Sequence, residues 1–124
     1  MTDSAAVEIK AFVPAKDFGL SKKFYTDLGF DLKWTDEELA YFACGATSFL
    51  LQNFYVKAHA DNFMMHLLVR NADDWWNRLT ASGIVDRYGV SMTEPGDRSW
   101  GMRDFTLIDP SGVLWHIANN IPQS

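Results

Sequence analysis

The chain repeats itself. Laying Phe12-Val13 over Leu68-Val69 puts Asp17 on Asp73, an offset of 56 residues. Both segments read as a strand, an Asp-capped helix, a glycine stop and a further strand, and both close in a hairpin with glycine at its turn, Gly45 and Gly112. The order is βαβββ followed by βαβββ. One such unit leaves a face of its sheet uncovered, and two in tandem can cover each other. The repeat predicts an α+β fold: one domain over residues 1–124, built of half-modules at about 7–52 and 64–118. Their curved mixed sheets would enclose a cleft.

Periodicity places the elements. Val7 to Pro14 reads as the first strand, with Val7, Ile9, Ala11 and Val13 on one face. Asp17 caps a helix to about Asp27 that carries Leu20, Phe24 and Leu28 at helical spacing, and Gly29 stops it. Phe30 to Thr35 is a strand and Asp36-Glu37-Glu38 a solvated turn. Leu39–Ala43 and Thr47–Gln52 form a hairpin, and 53–62 is a connecting loop. Met64 to Val69 is a strand. Asn71 or Asp73 caps a second helix to about Ala81, with Trp76 and Leu79 on its buried side and Gly83 as its stop. Ile84–Tyr88 reads as a short strand, 89–99 as a loop, Met102–Ile108 as a long strand, 109–112 as a turn and Leu114–Ala118 as the closing strand. Phe24, Tyr25 and Phe105 fall on buried faces.

Composition excludes several classes. No apolar stretch approaches the roughly 20 residues that span a bilayer. The start, Met1-Thr2-Asp3-Ser4, has neither a basic nor an apolar segment of a secretory leader. Cys44 is the single cysteine, so no internal disulfide forms, and a cytoplasmic protein is expected. With a net charge of −5 and no Lys/Arg cluster, the chain is a poor partner for nucleic acid and favours cations. Five tryptophans are more than a core of this size needs.

Asp17, Ser21, Phe24-Tyr25 and Leu28-Gly29-Phe30 form the pattern D-x-x-x-S-x-x-F-Y-x-x-x-L-G-F. Trp100-Gly101-Met102-Arg103-Asp104-Phe105 and Asp109-Pro110-Ser111-Gly112 form W-G-x-R-x-F followed by D-P-x-G. In this order and spacing, across residues 7–118, the motifs resemble the vicinal oxygen chelate superfamily of glyoxalases, extradiol dioxygenases and bleomycin-resistance proteins. Within it the chain looks most like the bleomycin-binding proteins. The resemblance implies the paired βαβββ fold and a homodimer whose subunits complete each other's clefts.

The enzymes of that superfamily hold a divalent metal on four strands. The corresponding positions here are Lys10, Phe49, Met64 and His116. An ammonium and a phenyl ring offer no lone pair, so no metal or other cofactor is expected on this register. A shifted set of Glu8, His66 and His116 is the alternative, and would make the protein a metal-dependent lyase, isomerase or dioxygenase. The resemblance further implies cleft contacts from Trp34, Trp100, His66, Gln52 and Asp61-Asn62, and strand parity adds Tyr41 and Trp115. Flat aromatic faces with carboxylates beside them suit a bulky, cationic aromatic guest. The reading is a non-catalytic binder that sequesters a bleomycin-type antibiotic, with an endogenous metabolite as the other candidate guest.

Overall fold

The computed structural model describes residues 2–122. The elements run β1 (Phe12–Pro14), α1 (Phe18–Leu28), β2 (Asp31–Thr35), β3 (Leu39–Cys44), β4 (Thr47–Gln52), α2 (Lys57–Ala60), β5 (Met64–Leu68), α3 (Ala72–Ser82), α4 (Ile84–Tyr88), β6 (Ser91–Met92), β7 (Gly96–Asp97), β8 (Met102–Ile108) and β9 (Leu114–Asn120). They build two mixed sheets. One is ordered β1-β4-β3-β2, and the other β5-β9-β8-β6 with β7 also on β8. The β1–β4 and β5–β9 pairs are parallel and the remaining pairs antiparallel. Neither sheet closes into a barrel, so each keeps free edge strands. No helix among the described residues is long and apolar enough to cross a membrane.

Capping residues fix the two long helices. Asp17 accepts a hydrogen bond from the Leu20 amide at 3.0 Å, and Gly29 ends α1. Of the two candidates for α3, it is Asn71 that caps, accepting from the Asp74 amide at 3.0 Å. Asp73 and Asp74 then sit in the first turn, where carboxylates favour the helix dipole.

Three expected elements differ. Residues 7–11 belong to no strand: β1 finds a partner only at Leu50–Gln52, and Val7 and Ile9 stand almost fully exposed. Ile84–Tyr88 is helical. Ile84 and Tyr88 lie four apart and both turn inward, Tyr88 meeting the Phe24 ring edge-on at 5.3 Å; a five-residue segment is too short to reveal which period it obeys. The 53–62 and 89–99 loops hold the one-turn helix α2 and the two-residue strands β6 and β7. Trp76, expected in the core, is only half-buried, as is Trp75 beneath the Arg78 guanidinium, while Leu79 is fully buried.

The two halves share one core, and its centre is polar as well as aromatic. Tyr25 packs against Phe49 and Trp115 with ring centroids at 4.9 and 5.6 Å. Its hydroxyl donates to Asp109 and accepts the Trp115 indole N–H at 2.9 Å. Asp109 folds its own turn by accepting from the Ser111 and Val113 amides at 2.8 and 2.9 Å. Ser111 in turn accepts from the Lys16 amide at 2.8 Å. Thus the F-Y pair of the first half and the D-P-S-G turn of the second are one hydrogen-bonded unit. Burial pushes the Asp109 carboxyl up and lifts the Tyr25 phenol well above its ordinary range, with the Asp109 charge adding to the latter.

Candidate functional site

Strand alternation sorts the candidate residues into those on the open faces and those beneath. In the first sheet, Val13, Ala40, Phe42, Phe49 and Leu51 point into the core. Ser48, Leu50 and Gln52 of β4 and Tyr41 of β3 take the other side. The register is irregular between Leu32 and Trp34. Leu32 therefore turns toward α1, where it lines a groove with Gly19, Lys23 and Tyr88, and Trp34 pairs with Tyr41. Trp34 is 51 % exposed. Trp34, Tyr41 and Gln52 thus share one open face.

A polar network completes that face. Glu8 accepts from the Ser48 hydroxyl and, at 3.5 Å, from Tyr41, and pairs with Lys10 at 2.9 Å. The Lys10 ammonium lies 5.1 Å from the Tyr41 ring centre. The Ser48 bond and then Lys10 hold the Glu8 carboxyl below its usual value, and Glu8 raises Lys10. Sequence reasoning missed Ser48; its alternation with Phe49 and Leu51 was the available signal.

On the second sheet, Met65, Leu67, Trp115, Ile117, Phe105 and Leu107 face inward. Met64, His66 and Leu68 face outward on β5, and His116 does so on β9. His66 and His116 are register partners, with ring centroids 6.5 Å apart and planes 21° apart. Beside His116 on the same face lies Asp104, whose Oδ1 accepts from Arg98 Nε at 2.5 Å and whose Oδ2 is 3.2 Å from His116 Nδ1. Burial works to raise the Asp104 carboxyl, and Arg98 and His116 overcome it and hold it low. At the seam between the sheets a cavity of about 220 Å³ is lined by Ser48, His66, Phe49, Phe30 and Trp115.

Two expectations fail on parity. Trp115 is 2 % exposed, its indole bonded to Tyr25; it neighbours His116 on β9, so only one of them can face outward. Trp115 is core and reaches only the floor of the seam cavity. Phe49 is likewise core, so the count of four residues from the hairpin glycine lands on the wrong side of β4.

Trp100 stands at the tip of the β7–β8 turn and is 66 % exposed. Asp61 and Asn62 lie elsewhere, at the entry to β5. Asp61 pairs with Lys57 at 2.6 Å and touches the 109–112 turn: a Cβ on Gly112, whose φ is +94°, would sit 3.1 Å from Asp61 Oδ1. Asn62 donates to the Ala58 carbonyl at 2.7 Å. Trp100 and Asp61 therefore occupy opposite ends of the second sheet. β9, seven residues long, spans roughly 20 Å between them. They flank a large guest or none.

The family-type metal set does not fit. Lys10 is an ion-paired ammonium, Phe49 is core, and Met64 brings only a thioether. The shifted set is not assembled either: Glu8 is engaged on the first sheet, and among the described residues no three His, Cys, Asp or Glu side chains come together to hold an ion. Burial, then the Asp31 charge, pushes the Cys44 thiol up, away from nucleophilic use. What the arrangement offers is Trp34 and Tyr41 beside the Glu8–Lys10–Ser48 network on the first sheet, and the paired His66 and His116 beside the Asp104–Arg98 ion pair on the second, with Trp100 exposed on the β7–β8 turn.

A family model described as the Glyoxalase/Bleomycin resistance protein/Dioxygenase superfamily matches residues 8–117. No curated protein matches the chain in sequence. Among solved structures, it resembles a bleomycin resistance determinant encoded on the transposon Tn5, with a TM-score of 0.77 and 18 % identity over 93 % of this chain and 98 % of that one. It also resembles the bleomycin-binding protein of bleomycin-producing Streptomyces verticillus, complexed with copper(II)-bleomycin, with a TM-score of 0.74 and 22 % identity over 96 % and 100 % of the two chains. A lactoylglutathione lyase from Agrobacterium tumefaciens shares the fold too, with a TM-score of 0.69 and 16 % identity over 95 % of each chain.

Proposed function

The chain belongs to the glyoxalase/bleomycin resistance protein/dioxygenase superfamily, and we propose that within it this protein is a non-catalytic binder of a bulky aromatic small molecule. The observation that carries the reading is the contrast among its large aromatics. Phe24, Tyr25, Phe42, Phe49, Phe105 and Trp115 are buried, whereas Trp34 on the open face of the first sheet and Trp100 on the β7–β8 turn are exposed to solvent. Exposed indoles beside few polar anchors are the ordinary lining of a small-molecule cleft. The donor set that a metal-dependent relative would need is replaced by an ion pair, a core phenyl and a thioether.

The guest proposed is of the bleomycin type, the ligand of the relative from Streptomyces verticillus. A net charge of −5 favours the approach of a cationic compound. The nearby carboxylates are already paired, Glu8 with Lys10, Asp61 with Lys57 and Asp104 with Arg98. Stacking, more than charge, then holds the guest.

The protein works as a homodimer in this reading. Val7 and Ile9 stand exposed, β5 has an unpaired edge, and Met64 and Leu68 lie bare on its outer face. A second copy covers such surfaces and encloses the guest between two sheets.

Titration of the tryptophan fluorescence with bleomycin and related glycopeptides tests the function. Saturable quenching is expected. No change across the panel, or a stoichiometric metal whose removal abolishes a catalysed reaction, would overturn it.

A further inference from the structure

Asp104 is 3 % exposed in the middle of β8, where strands ordinarily place apolar or β-branched side chains. A buried carboxylate is costly, and well-packed apolar residues often do as well or better for stability. This one is fully used: each oxygen holds a different partner, and the two partners belong to different parts of the candidate site.

On one side is Arg98. Its amide donates to the Met102 carbonyl at 2.7 Å and its carbonyl accepts from the Gly101 amide at 3.2 Å. Arg98 thus closes the turn whose tip is Trp100. The guanidinium passes beside Gly96, where a Cβ would lie 3.3 Å from Nη1, so the neighbouring strand leaves room for it. On the other side is His116. A carboxylate facing Nδ1 selects the tautomer with hydrogen on Nδ1, which leaves Nε2 as an acceptor.

We propose that Asp104 is the positioning residue of the guest site. One buried carboxylate sets the Trp100 stacking surface through Arg98 and the acceptor nitrogen of His116 directly. The guest class that uses both is a flat polycyclic aromatic bearing an O–H or N–H donor. This rests on the binding function proposed above and adds the chemistry that the second sheet selects.

Substituting Asp104→Asn tests it. The carboxamide offers its N–H to His116 Nδ1, so the ring should switch to the tautomer protonated on Nε2. Long-range ¹H–¹⁵N correlation of the imidazole nitrogens reads that switch without any guest. The guest probes are 1-pyrenemethanol and its methyl ether, followed by quenching of tryptophan emission. The wild-type protein should prefer the alcohol about fivefold, the value of one ordinary hydrogen bond. Asp104→Asn should abolish the preference and weaken both probes about tenfold as the Trp100 turn loses its tie.

Arg98→Leu is the second variant, and it serves alone where Asp104→Asn does not fold. It should weaken both probes alike, keep the alcohol preference and leave the tautomer unchanged. A wild-type His116 protonated on Nε2, or an Asp104→Asn protein with unaltered tautomer, affinity and preference, overturns the positioning role. Rejection of both pyrenes by a wild-type protein that still binds bleomycin overturns the donor-bearing guest class and leaves the binding function standing.

Discussion

Replacing Tyr25 by Phe removes one oxygen from the centre of the molecule. That oxygen accepts the Trp115 indole N–H at 2.9 Å and donates to Asp109, and all three side chains are buried. The indole is left with no acceptor, a loss of about 1–3 kcal/mol. The carboxylate loses one donor and keeps the Ser111 and Val113 amides, which adds about 1 kcal/mol. The total is about 2–4 kcal/mol, a large share of the stability of a domain this size. Equilibrium urea unfolding, followed by far-UV circular dichroism, measures it.

The pH dependence gives a second signature. Burial raises the folded-state pKa of Asp109 above the ordinary 3.8. The stability linked to it is therefore present below the unfolded value and lost as pH rises through the folded one. The Tyr25 hydroxyl opposes the rise by bonding the carboxylate. Without it the folded value climbs further and more stability is lost between acid and neutral pH. Tyr25→Phe should cost more at pH 7 than at pH 4. A loss under about 0.5 kcal/mol, or an equal loss at both pH values, refutes the argument that this hydroxyl ties the two halves together.

Trp100→Ala should leave the unfolding midpoint within about 0.5 kcal/mol, because the ring is mostly exposed, and weaken guest binding by about 1–3 kcal/mol, read by calorimetric titration. Gly112→Ala forces a Cβ onto a positive φ and against Asp61, so thermal unfolding should show a loss of about 1–3 kcal/mol. Deleting residues 2–10 takes away the exposed Val7 and Ile9. Sedimentation should then show the mass of a single shortened chain, where the intact protein should show twice 14.1 kDa.

The Asp17 cap and the glycine stops Gly29 and Gly83 were legible because each is a local signal within one turn of its helix, whereas the cap that the repeat set at Asp73 falls two residues earlier, on Asn71. The two-period pattern also gave the β3–β4 hairpin and the β8–β9 pair. What failed was parity between neighbours. Counting along β4 chose Phe49 over Ser48, and Trp115 was placed beside His116 on one face. The bulge before Trp34 turns that ring to the open side against the parity of Leu32. Ile84–Tyr88 was too short to show its helical period. Asp104 and Ser48 escaped notice because their partners His116 and Glu8 are brought to them only by folding, and Arg98 because no spacing motif marks its bond to Asp104.

Five indole N–H groups, spread over both sheets and α3, report on where a guest binds. In a ¹H–¹⁵N spectrum of the protein titrated with bleomycin, the Trp34 and Trp100 resonances should shift together and saturate, while the core Trp115 stays in place. Five unmoved resonances at saturating guest, or shifts confined to Trp75 and Trp76 on α3, would contradict a binding site on the open sheet faces.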